Sequence, residues 1–396
     1  MLITGTQDKL LMIPGPTPVH RDILAAMSEP TISHTSEDLA GIIEECQDGI
    51  RACAGTSSGQ AFILAGSGTL AQEAAVINLV APGERLLVAS NGYFGNRFAE
   101  IAHAHGIEVD HLTATWGSSI TADQVRLALE RQPARALAVT QVDTSTGVQA
   151  PVEEIAAVAR EHGTLVIVDA VCSLGGMPCP MDAWGLDIVL SGNQKALGVP
   201  PGLAILVVSQ LALERRHDMP KVASYYADLL RWLPSMQSPT AYFSTHAVNL
   251  FYGLRAAMRI IAAEGLEARF QRHERLGAAA RAGLERLGFE SLTEPQYLSR
   301  TLSVMRYPEG VEDGAFRAGL SSRGVVASAC IGKFTGLGAR FGHMGNITEA
   351  ELLQAKCATE RTLGDMGRPV EAGSGVAAAQ AVLSAPQMRL ATAGLD

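Results

Sequence analysis

Lysine is scarce in this chain. Only Lys9, Lys195, Lys221, Lys333 and Lys356 occur, so arginine supplies most of the 31 basic residues. A net charge of −9 with no basic run leaves no electrostatic footprint for nucleic acid. No uninterrupted apolar segment reaches the roughly 20 residues of a membrane span. The start, Met1-Leu2-Ile3-Thr4, lacks the basic region and apolar core of a secretory signal, and the expectation is a cytoplasmic protein. Six cysteines (Cys46, Cys53, Cys172, Cys179, Cys330, Cys357) are scattered without metal-ligand spacing, which predicts reduced thiols and no metal site. Also missing is the triple-glycine fingerprint with a later ribose-binding acid, which counts against a nucleotide-dependent dehydrogenase. What is present is 396 residues, 47% hydrophobic, enough to bury a large core in two domains.

The one lysine in an unusual setting is Lys195. It stands in Ser191-Gly192-Asn193-Gln194-Lys195-Ala196-Leu197, followed by Pro200-Pro201-Gly202, and no other charge occurs from Ile188 to Val208. Apolar runs Asp187–Leu190 and Ala204–Val208 flank it, so the segment reads as a loop between buried strands. Burial there disfavours the ammonium form and frees the amine as a nucleophile. Upstream, Thr164-Leu165-Val166-Ile167-Val168 is a continuous β-rich run that ends in Asp169, the pattern of a central parallel strand. In open α/β sheets ligands sit at that end. Asp169 alone could simply cap the following turn. Together with Lys195 it fits the pattern of a Schiff-base lysine and an acid facing the ring nitrogen of pyridoxal phosphate.

The rest of the chain alternates strands and helices. Ala61-Phe62-Ile63-Leu64-Ala65 leads through Gly66-Ser67-Gly68-Thr69 into a helical run, which makes an anion site of free N–H groups or merely a tight turn. Strands over Arg85–Ser90, Ile107–Leu112 and Ala136–Thr140 alternate with helices from about Asn96, over Thr121–Arg131 and near Val152–His162. This rhythm predicts a mostly parallel sheet with helices on its faces. Asn91-Gly92-Tyr93-Phe94 and Asp143-Thr144-Ser145-Thr146-Gly147 follow strand ends; Tyr93 also reads as an aromatic core plug. Beyond Val208 the rhythm breaks, and a long helix over about Ala247–Glu264 precedes a smaller α/β unit. That unit has strand Thr301–Met305, helix Asp313–Ser322 and strand Val325–Ala329. Expected boundaries are an arm over 1–26, a large domain over 27–265 and a small one over 266–396.

The segments Val168–Gly176, Ser191–Leu197 and Pro200-Pro201-Gly202, with Pro14-Gly15-Pro16-Thr17 at the start, resemble class V aminotransferases of fold type I, within them the alanine/serine–glyoxylate (pyruvate) group. The resemblance implies pyridoxal 5′-phosphate on Lys195, with Asp169 at the ring nitrogen and Phe94 stacked where many relatives carry tryptophan. It assigns Thr144 to the phenolic oxygen and Ser67, Gly68, Thr69 and Gln194 to the phosphate; Val171 also lines the cofactor. Gly15 and Arg340 would meet the substrate, although Arg340 in Gly338-Ala339-Arg340-Phe341-Gly342 equally suits a domain-interface ion pair. The arm would cross to a second subunit, and Tyr242 and Thr245 would reach the neighbour's phosphate, making a homodimer with shared sites. The implied reaction is transamination between a small amino acid and a 2-oxo acid. Another amine donor (2-aminoethylphosphonate or a pyridoxamine-like amine) or a lyase reaction would use the same Lys195 and Asp169. His343 reads as structural and Cys172 as a small buried hydrophobe.

Overall fold

A computed structural model describes residues 9–385 apart from Pro239; the first eight residues of the expected arm and the last eleven of the small domain lie outside it. Seven strands form the central sheet. In chain order they are β1 (Gln60–Ala65), β2 (Arg85–Ser90), β3 (Glu108–Thr113), β4 (Ala136–Thr140), β5 (Leu165–Asp169), β6 (Ile188–Gly192) and β7 (Leu203–Val208). Their spatial order is β1-β7-β6-β5-β4-β2-β3. Only β7 opposes its neighbours; the other six run one way, as the alternating sequence pattern predicts. The β-rich runs are continuous because both faces are covered. Val166 and Val168 of β5 enter one apolar cluster with Ala61 and Ile63, while Leu165 and Ile167 enter the opposite cluster with Phe62 and Leu64. Each buried Val, Leu, Ile or Phe side chain contributes roughly 1.5–3 kcal/mol, which keeps β5 apolar until its end, whereas the edge strand β3 carries Asp110 and His111 mid-strand.

The helix expected from Asn96 spans Tyr93–Ala104 instead. Its earlier start comes from Asp143, whose carboxylate accepts the Phe94 and Gly95 N–H groups at 2.9 and 3.0 Å. A cap supplied 49 residues away leaves no local signal.

A second, antiparallel sheet comprises β8 (Glu290–Ser291), β9 (Leu302–Arg306), β10 (Ser328–Ala329) and β11 (Gly338–Gly342) in the order β8-β9-β11-β10. Helices Leu266–Arg286, Asp313–Ser322, Glu349–Asp365 and Ser374–Ser384 pack over it. The single strand expected over Val325–Ala329 is split. Ser328–Ala329 joins this sheet, whereas Val325–Val326 pairs in parallel with Leu10–Leu11. That pairing seats the described start of the arm on its own chain. Residues 10–12 belong to the chain's own small unit, where Met12 is fully buried. Arg21–Met27 is a helix whose Ile23 sits in the core of the large unit. Tyr93, expected as a possible core plug, is 44% exposed.

Two arginines of the Leu266–Arg286 helix tie the units together. Arg269, 1% exposed, donates to the carbonyls of Gly175 and Ala196, each at 2.8 Å, and pairs with Glu264 at 2.7 Å. Arg272 shares Glu264 and donates to the carbonyls of Gly345 and Ile347. Among the described residues no helix is long and apolar enough to cross a membrane.

Lys356 is buried in the small unit over the Phe341 ring and has no carboxylate partner among the described residues. Burial pulls its amine down from 10.5 to about 7. The folded state therefore binds fewer protons than the unfolded state between pH 7 and 10.5, and stability rises with pH across that window. Lys356→Met is expected to raise the thermal midpoint at pH 7 and to abolish this rise, as pH-resolved thermal melts would measure.

Candidate active site

The carboxyl ends of β1, β2, β4, β5 and β6 converge where the strand order reverses, and a cavity of about 240 Å³ opens there. Nine residues singled out in the sequence line it: Ser67, Gly68, Thr69, Phe94, Thr144, Asp169, Val171, Gln194 and Lys195.

They come from strand ends, the loops that follow them and the first turns of the next helices. Ser67 precedes the helix Gly68–Ile77, and its hydroxyl makes no cap bond, so the first helical N–H groups and the side chain face outward together. A Cβ on Gly68 would lie 3.0 Å from Val171 Cγ2, so this turn closes down on the loop after β5. The Lys195 loop joins antiparallel β6 and β7 and is braced from within. Asn193, fully buried, donates to Pro200 O at 2.6 Å and accepts from Leu203 N at 3.0 Å. The amino-terminal segment braces it from outside: Thr17 N donates to Gln194 O at 3.1 Å and Thr17 Oγ1 to Lys195 O at 2.8 Å.

Lys195 is half-buried, and its Nζ donates to Pro14 O. Gly15 passes so close that a Cβ would meet Lys195 Cε at 2.8 Å, and its φ of +121° lies in the region that favours glycine. Gly15 thus borders Lys195 directly, without lining the main cavity.

Asp169 is 3% exposed. Its Oδ1 accepts Val171 N–H at 2.9 Å and its Oδ2 accepts Gln72 Nε2 at 2.8 Å. Burial pushes its carboxyl up to about 7, with the Asp143 charge adding to the rise and the two donors and Lys195 opposing it. An acid held in that range calls for a cation in the cavity beside it.

Arg340 lies on β11 behind Thr144. It donates to Ala329 O at 2.8 Å and to Thr144 O at 3.4 Å. No carboxylate lies within ion-pair distance of it among the described residues, and burial pushes its guanidinium below the usual arginine value. The domain-interface ion pair is therefore absent from its described surroundings. Tyr242 and Thr245 are exposed, Tyr242 at 63%, and line no part of the chain's own cavity. His343 is buried against Ser303 Oγ at 3.1 Å, outside the lining, as a structural histidine would be. Cys172 is buried at the cavity wall, and burial raises its thiol to about 11, which keeps it protonated and unreactive.

Gln72, Arg97 and Val142 also line the cavity and were not singled out in the sequence. Arg97 lies over the Phe94 ring, 4.9 Å from its centroid, and its Nη1 donates to Thr69 Oγ1 at 2.8 Å. On a helix face a lone arginine reads as a solvated charge; its spacing from Phe94 is the only local hint.

These residues fit pyridoxal phosphate. The turn Ser67-Gly68-Thr69 with Arg97 suits a phosphate, Phe94 suits a flat ring, and the buried Asp169 suits a protonated ring nitrogen. Lys195 supplies the amine.

A family model described as Aminotransferase class-V matches residues 17–333. The chain is 38% identical over 387 residues to a Synechococcus protein named as the small subunit of soluble hydrogenase, covering 96% of this chain and 99% of that one. It is 32% identical over 385 residues to L-aspartate–glyoxylate aminotransferase of Paracoccus denitrificans, covering 95% and 96%. A crystal structure of alanine–glyoxylate aminotransferase from Nostoc superposes with a TM-score of 0.88 at 33% identity, covering 92% and 97%.

Arg97→Met is expected to weaken retention of pyridoxal phosphate about tenfold, the loss of one charge-assisted contact. Binding of pyridoxal, which lacks the phosphate, should be unchanged; equilibrium dialysis of both ligands checks this.

Proposed function

The chain belongs to the class V aminotransferase family, whose cofactor is pyridoxal 5′-phosphate, and we propose that it moves an amino group from alanine or serine to a 2-oxo acid such as glyoxylate or pyruvate. The observation that carries this reading is the convergence of Lys195 and the buried Asp169 on one cavity with an anion-binding turn at its edge. Two similar proteins named as glyoxylate aminotransferases support the acceptor.

When bound, the cofactor supplies an aldehyde that condenses with amines and a ring that accepts the electron pair released at the substrate Cα. Lys195 would hold it covalently. The Lys195 amine, once released by the incoming amino acid, would be the base that takes the proton from the substrate Cα and the acid that delivers it on the cofactor side. Asp169 keeps the ring nitrogen protonated, because its carboxylate favours the charged form of a group beside it. Phe94 and Val171 would confine the ring, Thr144 would meet its phenolic oxygen, and Ser67, Gly68, Thr69 and Gln194 would hold the phosphate. Arg340, with no carboxylate partner in its described surroundings, orients the substrate α-carboxylate, and the Gly15 backbone borders the same space.

A homodimer with shared sites is part of the proposal. Tyr242 and Thr245 are exposed, line no part of their own cavity and would complete the phosphate site of a second copy. A cytoplasmic setting suits the six free thiols.

The test is steady-state kinetics with alanine, serine, glyoxylate and pyruvate on purified protein. Parallel double-reciprocal lines are expected. Lys195→Ala should abolish turnover, and a residual wild-type rate in it would end the assignment. Arg340→Lys should raise KM for the amino acid by about tenfold with little change in kcat, because the planar fork is lost while the charge stays. An unchanged KM would remove Arg340 from the substrate site.

A further inference from the structure

Gln72 has no place in the scheme above, yet it touches its most sensitive group. It lies on the helix Gly68–Ile77, 2% exposed, beside the buried Ala71, Ala74 and Ala75. An apolar side chain of similar volume would pack there without a polar group to satisfy. The amide instead donates through Nε2 to Asp169 Oδ2 at 2.8 Å and to Phe94 O at 3.3 Å. Both partners are acceptors, which fixes the orientation of the amide and leaves Oε1 buried with no hydrogen-bond partner among the described residues. The residue thus leaves one polar atom unsatisfied while giving Asp169 a donor.

We propose that Gln72 is a positioning residue that clamps the Asp169 carboxylate and holds the shared proton on the ring nitrogen of the cofactor. The proposal rests on the pyridoxal phosphate reading and deepens it. Val171 N–H at Oδ1 and Gln72 at Oδ2 grip the two carboxylate oxygens from the loop after β5 and from the helix after β1. With only the Val171 bond left, the carboxylate could rotate about its Cβ–Cγ bond. The other groups facing Asp169 are Asp143 from the loop after β4, which disfavours its charge, Lys195 from the loop after β6, which favours it, and Cys172 on its own loop, which burial keeps neutral. Burial raises the Asp169 carboxyl and the Gln72 hydrogen bond opposes that rise, so losing this donor moves the shared proton toward the acid. A donor to the carboxylate stabilises its ionised form and leaves the proton on the ring, the state that draws electrons from Cα.

The test uses Gln72→Met, which keeps the volume and removes the donor, and Gln72→Glu, which presents a carboxylate to Asp169. In cofactor-free protein, infrared titration of the Asp169 carboxyl, identified by its absence in Asp169→Asn, should show a midpoint raised by about one unit in Gln72→Met and by more in Gln72→Glu. In loaded protein, single-turnover deamination of alanine should slow about tenfold in Gln72→Met, one unit of basicity being a tenfold change in proton partition. With the analogue in which the ring nitrogen is replaced by C–H, wild type and Gln72→Met should react at equal rates, because no proton is shared. Midpoints equal to wild type in both variants would overturn the proposal. So would a slowing that persists with the analogue, which marks a structural role. A wild-type protein that neither binds pyridoxal phosphate nor deaminates alanine would instead defeat the underlying reading, which separates the two failures.

Discussion

A carboxylate out of reach of water must be neutralised, hydrogen-bonded or paired, and the large unit is arranged around one that awaits a pair. Asp169 ends a strand with sheet neighbours on both sides, so its backbone cannot move to bring the side chain into solvent. Its two donors come from its own chain, while Asp143 works against its ionisation. The protein thereby holds a buried acid near neutrality beside a cavity. A protonated aromatic nitrogen placed there gains what the acid lacks, and the acid gains a counter-charge. This reciprocal need gives the cofactor an orientation as well as an affinity.

The same logic explains why so much bracing is spent on loops. In the proposed site Lys195 would approach a ligand held by Asp169, on the next strand over, and by the Ser67-Gly68-Thr69 turn. Asn193 fixes the loop from inside, Thr17 from the amino-terminal segment, and Arg269 from the interdomain helix through Ala196 O. Arg269 also holds Gly175 O in the loop that follows Asp169, so one buried guanidinium couples the acid's loop to the lysine's. The small unit is joined to this arrangement through β11, where Arg340 rests on the Thr144 carbonyl. Lys195 and Arg340, carried by elements of different sheets, are thus held through backbone carbonyls.

Much of this was legible in the sequence, for physical reasons. Strands buried on both faces must be continuously apolar, so β5 and its terminal Asp169 stand out. A lysine with no charge near it between two such runs is equally conspicuous, and glycine-framed turns betray helix starts. The hidden features are those whose partners are distant. Asp143 caps a helix far away in the chain, and Gln72 and Arg97 look like ordinary polar helix residues until the fold turns them inward. The pairing of Leu10–Leu11 with Val325–Val326 was hidden because two residues have no periodicity to detect. Arg269 carries no mark in a helix rich in arginine. The exposed Tyr242 makes no sense within one copy of the chain, which is why its role stays with the dimer proposal.

The most direct measurement of the central claim is a product balance without an acceptor. Protein loaded with one equivalent of pyridoxal phosphate per chain is mixed with excess alanine and no 2-oxo acid. If the site performs transamination, pyruvate appears in an amount equal to the bound cofactor, the cofactor is recovered as pyridoxamine phosphate, no ammonia forms and the reaction stops. Pyruvate and ammonia accumulating beyond that amount would contradict the account, because the amino group would then be leaving to solvent instead of being stored on the cofactor.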